Sequence, residues 1–288
     1  MHLPVLVREV IALLSPREGG LYIDATVGLG GHSEEILKMI GREGRLIGID
    51  RDAEALSLAR KRLEDPRVLL KKGRFSELGD IVASEGGAKA DGILFDLGLS
   101  MMQLRAASRG FSFLSEDRLD MRMDTSQSLS AWDVVNGYSE KDLIRVLKDY
   151  GDEYRAPRIA RAICRYRDKT DINTCSELAR LVSAAAGRRG RIHPATKTFQ
   201  ALRIEVNGEM DELNKGLDCS PGLLKVGGRL CVISYHSLED RAVKNFIRDN
   251  AKKGLLKPLT KKPVTPDLRE IRENPSSRSA KMRGAERL

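Results

Sequence analysis

Apolar and polar positions follow one another along this chain in the two periods that distinguish strands from helices. Runs with the apolar content of strands lie at residues 21–24, 45–50, 68–70 and 90–97. Segments with apolar residues at helical spacing lie at residues 5–14, 34–40 and 53–63. Strands that alternate with helices in this way predict an α/β fold with a doubly wound, mostly parallel sheet.

A glycine-rich turn joins the first predicted strand to the helix that follows it. Gly28, Gly30 and Gly31 allow backbone geometry and close approach that a Cβ would forbid, and Asp24 ends the strand before them. About 20 residues further on, Asp50 ends the second strand, where doubly wound folds bind the hydroxyls of a ribose. The sequence therefore predicts a site for a cofactor that contains a nucleoside.

The glycine spacing separates the two cofactor classes that fit this outline. The third glycine of a dinucleotide-binding turn would fall on Ser33. Asp24 would repel a pyrophosphate, whereas its carboxylate could help to hold the ammonium of a methionine, directly or through water. These two residues favour S-adenosylmethionine over a nicotinamide dinucleotide.

A long interval separates the fourth strand from the next one. Residues 229–234 (RLCVIS) predict a fifth strand about 130 residues later, far beyond an ordinary connection. Within the interval, Ser139 and Thr174 each stand three residues before an acidic residue, as at a helix N-terminus, and residues 155–167 hold five arginines. We therefore expect an inserted all-helical domain. The expected domains are residues 1–104 and 201–288 for the sheet and residues 105–200 for the insertion.

The charge of the chain indicates a polyanionic partner. The 288 residues carry a net charge of +9. Residues 252–288 hold eleven Lys or Arg and four acidic residues, a net of +7, so the tail is strongly basic. Aromatic residues make up only 5% of the chain, which favours contacts to a nucleic-acid backbone over base stacking.

Cysteine usage and hydropathy restrict the setting of the protein. The four cysteines include no C-x-x-C pair, so neither a zinc site nor a disulfide framework is indicated, and we expect no metal. No stretch approaches the roughly 18 apolar residues of a membrane span. We expect a cytoplasmic protein without a membrane partner.

Long ordered motifs cover nearly the whole chain. They are HLPVL at 2–6, DATVGLGGHS at 24–33, IDRD at 49–52, DGILFDLGLS at 91–100, RGFSF at 109–113, LDMRMD at 119–124, HPATKTFQALRIEVN at 193–207, ISYHSLEDRAVK at 233–244 and NPSSRSAKMR at 274–283. In these motifs the sequence resembles the MraW/RsmH family of ribosomal RNA small-subunit methyltransferases. The resemblance implies a class I S-adenosylmethionine-dependent methyltransferase, with a helical insertion, that methylates the exocyclic N4 of a cytidine in the decoding region of 16S rRNA.

The resemblance also implies which residues bind the cofactor. These residues are Gly30, Gly31, His32, Asp50, Phe75, Asp96 and Gln103. The chain departs from the family pattern at Met101, Met102 and Arg105 in the loop after the fourth strand, and at Tyr235, where the family has phenylalanine.

The chemistry of the implied reaction indicates a role for Asp96. The lone pair of cytosine N4 is delocalised into the ring, so a carboxylate that accepts from N4–H would localise the pair and stabilise the developing positive charge. Asp96 stands at the end of the fourth strand and is the candidate catalytic residue. The alternatives are a DNA cytosine-N4 methyltransferase, a non-enzymatic RNA-binding assembly factor and a nicotinamide dehydrogenase.

Overall fold

One mixed sheet organises the computed structural model of this protein, which describes residues 4–98, 109–187 and 193–288. Its strands are β1 (Leu21–Asp24), β2 (Arg45–Asp50), β3 (Val68–Lys72), β4 (Ala90–Asp96), β5 (Leu224–Ser234), β6 (Leu256–Pro258) and β7 (Lys281–Arg287). They are ordered β3-β2-β1-β4-β5-β7-β6. Strands β1 to β5 are parallel, and β7 runs antiparallel to both β5 and β6. The doubly wound sheet expected from the sequence is confirmed.

Twelve α-helices lie in the described residues. They are α1 (Val7–Leu14), α2 (Gly31–Met39), α3 (Ala53–Arg62), α4 (Leu78–Ser84), α5 (Ala131–Gly137), α6 (Glu140–Asp149), α7 (Ala156–Arg167), α8 (Cys175–Ala186), α9 (Thr196–Asn207), α10 (Glu209–Leu223), α11 (Ser237–Lys252) and α12 (Leu268–Glu273). The predicted N-caps are confirmed: Ser139 accepts from the backbone N–H of Asp142, and Thr174 forms a capping box with Glu177. The long interval after β4 therefore contains helices from Ala131 onward, whereas residues 109–130 form turns and irregular structure.

Two element boundaries differ from expectation. The first helix begins at Val7 rather than at residue 5, because Leu6 has a left-handed φ of 54° and donates its N–H to Glu270 Oε1 at 2.7 Å. Strand β5 begins at Leu224 rather than at residue 229. Residues 225–227 are exposed, so no buried apolar alternation marks them in the sequence.

The chain divides into two compact units. Residues Met1–Ser100 and Asp211–Leu288 form the first, and residues Met101–Met210 form the second. The first contains the sheet, whose central strands are fully covered, and the second packs the buried faces of α5 to α9 around apolar side chains such as Val134, Leu143 and Ile159. The domain limits expected at 104/105 and 200/201 remain a prediction.

A glycine on α10 allows that helix to pack closely beside two aromatic rings. A Cβ at Gly216 would lie 2.8 Å from Cβ of Phe75 and 3.2 Å from Cε1 of Phe95. The rings of Phe75 and Phe95 meet edge to face, with centroids 5.3 Å apart. Phe95 directly precedes Asp96, so Gly216 allows α10 to pack against the end of β4 that carries Asp96.

We predict that Gly216→Ala lowers the free energy of unfolding by about 1–3 kcal/mol, because the added methyl overpacks the contact with Phe75. Gly222→Ala is the matched control: it lies on the same helix and has no atom within 4 Å of its added Cβ. Its expected effect is neutral or stabilising, by up to about 1 kcal/mol. Chemical denaturation measures both, and equal behaviour of the two variants would contradict the overpacking argument.

Candidate active site

Three aspartates end neighbouring strands at one edge of the sheet. Asp24 ends β1, Asp50 ends β2 and Asp96 ends β4. Strands β2 and β4 pair with β1 on either side, in parallel, so their carboxyl ends lie side by side. This is the edge at which open α/β sheets bind ligands.

The glycine turn after β1 is tied to the end of β2. Gly28 and Gly30 have φ values of 50° and 80°, in the left-handed region that favours glycine. The N–H of Gly28 donates to Asp50 Oδ2 at 2.9 Å. A Cβ on Gly30 would lie 2.8 Å from Cδ1 of Leu63, at the end of α3, so this position also needs glycine for packing. The turn is thus held in a fixed shape before any ligand arrives.

Asp50 accepts one backbone N–H on each carboxylate oxygen. Oδ1 accepts from Asp52 at 2.9 Å, and Oδ2 accepts from Gly28 at 2.9 Å. Burial raises the pKa of Asp50 to about 6, against the lowering effect of these two hydrogen bonds. Each oxygen retains a second lone pair, so the carboxylate can still accept from two ligand hydroxyls.

Asp24 is buried and held by the residue that breaks the dinucleotide pattern. Its side chain is covered, with the residue 1% exposed. Ser33 Oγ donates to Asp24 Oδ2 at 2.7 Å, and the N–H of Thr26 donates to Oδ1 at 3.2 Å. Burial raises the pKa of Asp24 in spite of these donors. Asp24 is therefore a covered group at the strand end rather than an open binding surface.

Asp96 lies between a tyrosine and a histidine. Tyr235 Oη donates to Asp96 Oδ1 at 2.8 Å, and His32 Nδ1 lies 3.5 Å from Asp96 Oδ2. The other ring nitrogen of His32, Nε2, donates to the carbonyl of Val5 at 2.8 Å. Burial raises the pKa of Asp96 to about 6, and His32 and Tyr235 oppose that rise. The Tyr235 contact was not foreseen from the sequence, although the position of Tyr235 directly after β5, the neighbour of β4, is the signal that would have suggested it.

Phe75 begins a short 3-10 helix (Phe75–Glu77) that follows β3. Its ring is half-buried and packs edge to face against Phe95. Core packing therefore accounts for part of the surface of the ring, and contact with the cofactor stays a prediction. Gln103 and the loop positions Met101, Met102 and Arg105 lie outside the described residues.

The polar residues after β5 serve the local structure. Glu239 caps α11 by accepting from the backbone N–H of Tyr235 at 2.8 Å and of His236 at 3.2 Å. Asp240 pairs with Arg283 of β7 at 2.6 Å. These contacts leave Asp96, Asp50 and the glycine turn as the groups best placed for a ligand.

The strand order, the glycine turn after β1 and the acidic end of β2 together define a class I methyltransferase fold. The model of the MraW methylase family matches residues 1–288. The chain therefore belongs to the MraW methylase family.

Curated relatives match the chain from end to end. The protein of Caldicellulosiruptor bescii is 46% identical over 304 residues and that of Koribacter versatilis is 50% identical over 299 residues. That of Persephonella marina is 50% identical over 292 residues. The three matches cover 100%, 99% and 100% of this chain and 99%, 94% and 99% of the relatives. Each relative is named ribosomal RNA small subunit methyltransferase H.

None of the helices in the described ranges combines the length and the apolar character that crossing a membrane requires.

Proposed function

We propose that this protein transfers a methyl group from S-adenosylmethionine to the exocyclic N4 of a cytidine in the decoding region of 16S rRNA. Membership of the MraW methylase family supports methyl transfer, and the names of the relatives support ribosomal RNA of the small subunit as the substrate. The observation that carries the proposal is the set of carboxylates at the ends of β1, β2 and β4, of which Asp24 is buried and Asp50 and Asp96 are half-buried.

These carboxylates favour a cationic cofactor over a dinucleotide. Burial raises the pKa values of Asp24, Asp50 and Asp96, and Asp24 raises those of the other two further by repulsion. A ligand with a sulfonium and an ammonium offsets that repulsion, whereas a pyrophosphate would add to it. The nicotinamide dehydrogenase alternative therefore has little support.

The residues around the glycine turn fit the parts of S-adenosylmethionine. When bound, the cofactor supplies an electrophilic methyl group on sulfur. In our proposal Asp50 accepts from the ribose hydroxyls with its free lone pairs, and Phe75 lies against the adenine. The remaining proposed contacts are Gly30, Gly31, His32, Asp96 and Gln103.

Asp96 is the proposed catalytic residue. Its carboxylate accepts from N4–H of the cytosine, localises the nitrogen lone pair and stabilises the positive charge that develops on that nitrogen. With a pKa near 6, the carboxyl group is mostly ionised at neutral pH. The ionised form is the one that the proposed role requires.

We predict that the product is N4-methylcytidine in small-subunit rRNA and that duplex DNA is inert. Paired and stacked cytosine hides N4, and extruding it costs a few kcal/mol that a folded RNA junction can reduce. The test is methyl transfer from labelled S-adenosylmethionine to small subunits from a strain lacking this enzyme, followed by mass spectrometry of the nucleosides. Transfer of the label to duplex DNA would support the DNA methyltransferase alternative. Binding of RNA without any methyl transfer would support the assembly factor.

We predict that Asp50→Ala weakens S-adenosylmethionine binding by about 1.5–3 kcal/mol, because hydrogen bonds from ribose hydroxyls to an ionised acceptor are lost. Titration calorimetry gives the affinity, and thermal unfolding checks that the glycine turn survives the loss of its Asp50 contacts. Asp65→Ala, which removes a carboxylate paired with Arg67 after α3, is the control and leaves the affinity unchanged. An Asp50→Ala protein with wild-type affinity would remove Asp50 from the site.

The basic tail is the proposed contact for the RNA backbone. Lys261 and Lys262 are exposed in the segment between β6 and α12. The next residues return to the fold, since Val264 and Met282 exchange backbone hydrogen bonds at 2.9 and 2.8 Å. The two lysines therefore extend from an ordered base rather than from a free end.

We predict that Lys261→Glu with Lys262→Glu weakens RNA binding and flattens the slope of log affinity against log salt by about 1–2 units, because fewer counterions are released. S-adenosylmethionine affinity is unchanged. Arg60→Glu with Lys61→Glu, the same charge reversal on exposed residues of α3, is the control. If the two double variants have the same salt slope as the wild type, the lysines are a solvated surface.

A further inference from the structure

The side chain of Tyr235 is seated against the strand that carries Asp96. Asp96 pairs with Ile233 across β4 and β5, and Tyr235 follows directly beyond that pair. Gly98 has a φ of 105°, and a Cβ there would lie 3.0 Å from Cδ2 of Tyr235. The missing side chain lets the ring pack against the backbone at Gly98, and the hydroxyl then reaches Asp96 Oδ1 at 2.8 Å.

The direction of this hydrogen bond follows from the state of the two groups. Burial raises the pKa of Tyr235 well above its ordinary value, and the charge of Asp96 adds to that rise. The phenol therefore keeps its proton at neutral pH. Tyr235 donates and Asp96 accepts, as a charge-assisted bond requires.

The other oxygen of Asp96 has a different neighbour. His32 Nε2 lies 2.8 Å from the carbonyl of Val5, which can only accept, so Nε2 carries a hydrogen. In a neutral His32 ring Nδ1 is then a bare lone pair, and it faces Asp96 Oδ2 at 3.5 Å. Among the residues that the structure describes, Tyr235 is thus the side chain that donates to Asp96 while His32 is neutral.

We propose that Tyr235 is a positioning residue for methyl transfer, whose hydroxyl orients the Asp96 carboxylate and keeps it ionised. The inference rests on the proposed function, because it assigns Asp96 the contact with the reacting nitrogen. When a donor fixes Oδ1, the carboxylate is held in one orientation. It then presents Oδ2 and its remaining lone pairs to a substrate without a search among rotamers. Tyr235 does not touch the substrate in this arrangement; it acts through Asp96.

The charged and titratable groups around Asp96 agree with that role. They are Asp24 of β1, His32 of α2, Cys231 of β5, Tyr235 after β5 and Glu239 of α11. Burial is the largest influence on the pKa of Asp96 and raises it, and Asp24 and Glu239 raise it further. His32, when its ring is protonated, and the hydrogen bond from Tyr235 lower it. Loss of the Tyr235 hydroxyl removes one of these two lowering influences, so the pKa of Asp96 rises.

The variant that isolates the hydroxyl is Tyr235→Phe, which keeps the ring. For a carboxylate that must be ionised, a higher pKa moves the acidic limb of the pH–rate profile to higher pH. We expect a shift of about one pH unit, with a rate at pH 6 that falls roughly 5–10-fold and a rate at pH 8.5 within about twofold of wild type. A loss of ring packing alone would lower the rate equally at every pH.

A second measurement does not depend on activity. Carbon-13 NMR of aspartate-labelled protein follows the Asp96 carboxyl during a pH titration, with the signal assigned from Asp96→Asn. In Tyr235→Phe we expect its midpoint to move up by about one pH unit. Tyr22→Phe is the matched control: it removes another buried tyrosine hydroxyl from the same unit, one that accepts from Arg17 N–H at 2.9 Å, and it leaves the Asp96 midpoint unchanged.

The two measurements separate this inference from the proposed function. A wild-type protein that methylates no cytidine refutes the proposed function. An Asp96 midpoint that is the same in wild type and Tyr235→Phe refutes the role of Tyr235, whatever the enzyme methylates. A moved midpoint together with a moved acidic limb supports the inference.

Discussion

The structure depends on keeping three carboxylates side by side where the parallel strands β1, β2 and β4 end. Asp24 repels both Asp50 and Asp96 there, and burial disfavours the charged forms of all three. The arrangement persists because each carboxylate has donors fixed by the fold: Ser33 for Asp24, the turn N–H of Gly28 for Asp50, and Tyr235 for Asp96. An acidic edge that is pre-formed in this way is prepared for a positively charged ligand.

The surroundings of the site follow from the same constraint. The glycine turn adopts left-handed geometry, and the N–H of Gly28 donates a hydrogen bond to Asp50. This contact fixes the turn from which α2 begins. His32, in the first turn of α2, connects Asp96 to the carbonyl of Val5. The next residue, Leu6, is held in a left-handed conformation by Glu270 of α12. The amino-terminal segment and the carboxyl-terminal helix thus support the same edge of the sheet, although both are distant from Asp96 in sequence.

Family membership and geometry give different parts of the functional argument. The MraW methylase family accounts for methyl transfer, and the relatives are named for ribosomal RNA of the small subunit. In our proposal the carboxylates at the strand ends favour the kind of cofactor, because an anionic edge suits a sulfonium better than a pyrophosphate. The choice of cytosine N4 as the methylated atom is our proposal. In it Asp96 accepts a hydrogen bond from N4–H, which its ionised state and fixed orientation suit.

The local elements of this protein were determined by the sequence itself. The apolar periods placed β1 to β4, the N-caps Ser139 and Thr174 placed α6 and α8, and Asp24, Asp50 and Asp96 were recognised as strand ends. These signals are local, since each depends on residues within one or two turns of chain.

Only the tertiary structure decided which of these residues meet. The bond from Tyr235 to Asp96 joins residues 139 positions apart, and the bond from Leu6 to Glu270 joins residues 264 apart. It also assigned Glu239 to helix capping and Asp240 to an ion pair with Arg283. Such contacts depend on strand order and register, which bring distant residues together and leave no periodic pattern in the chain.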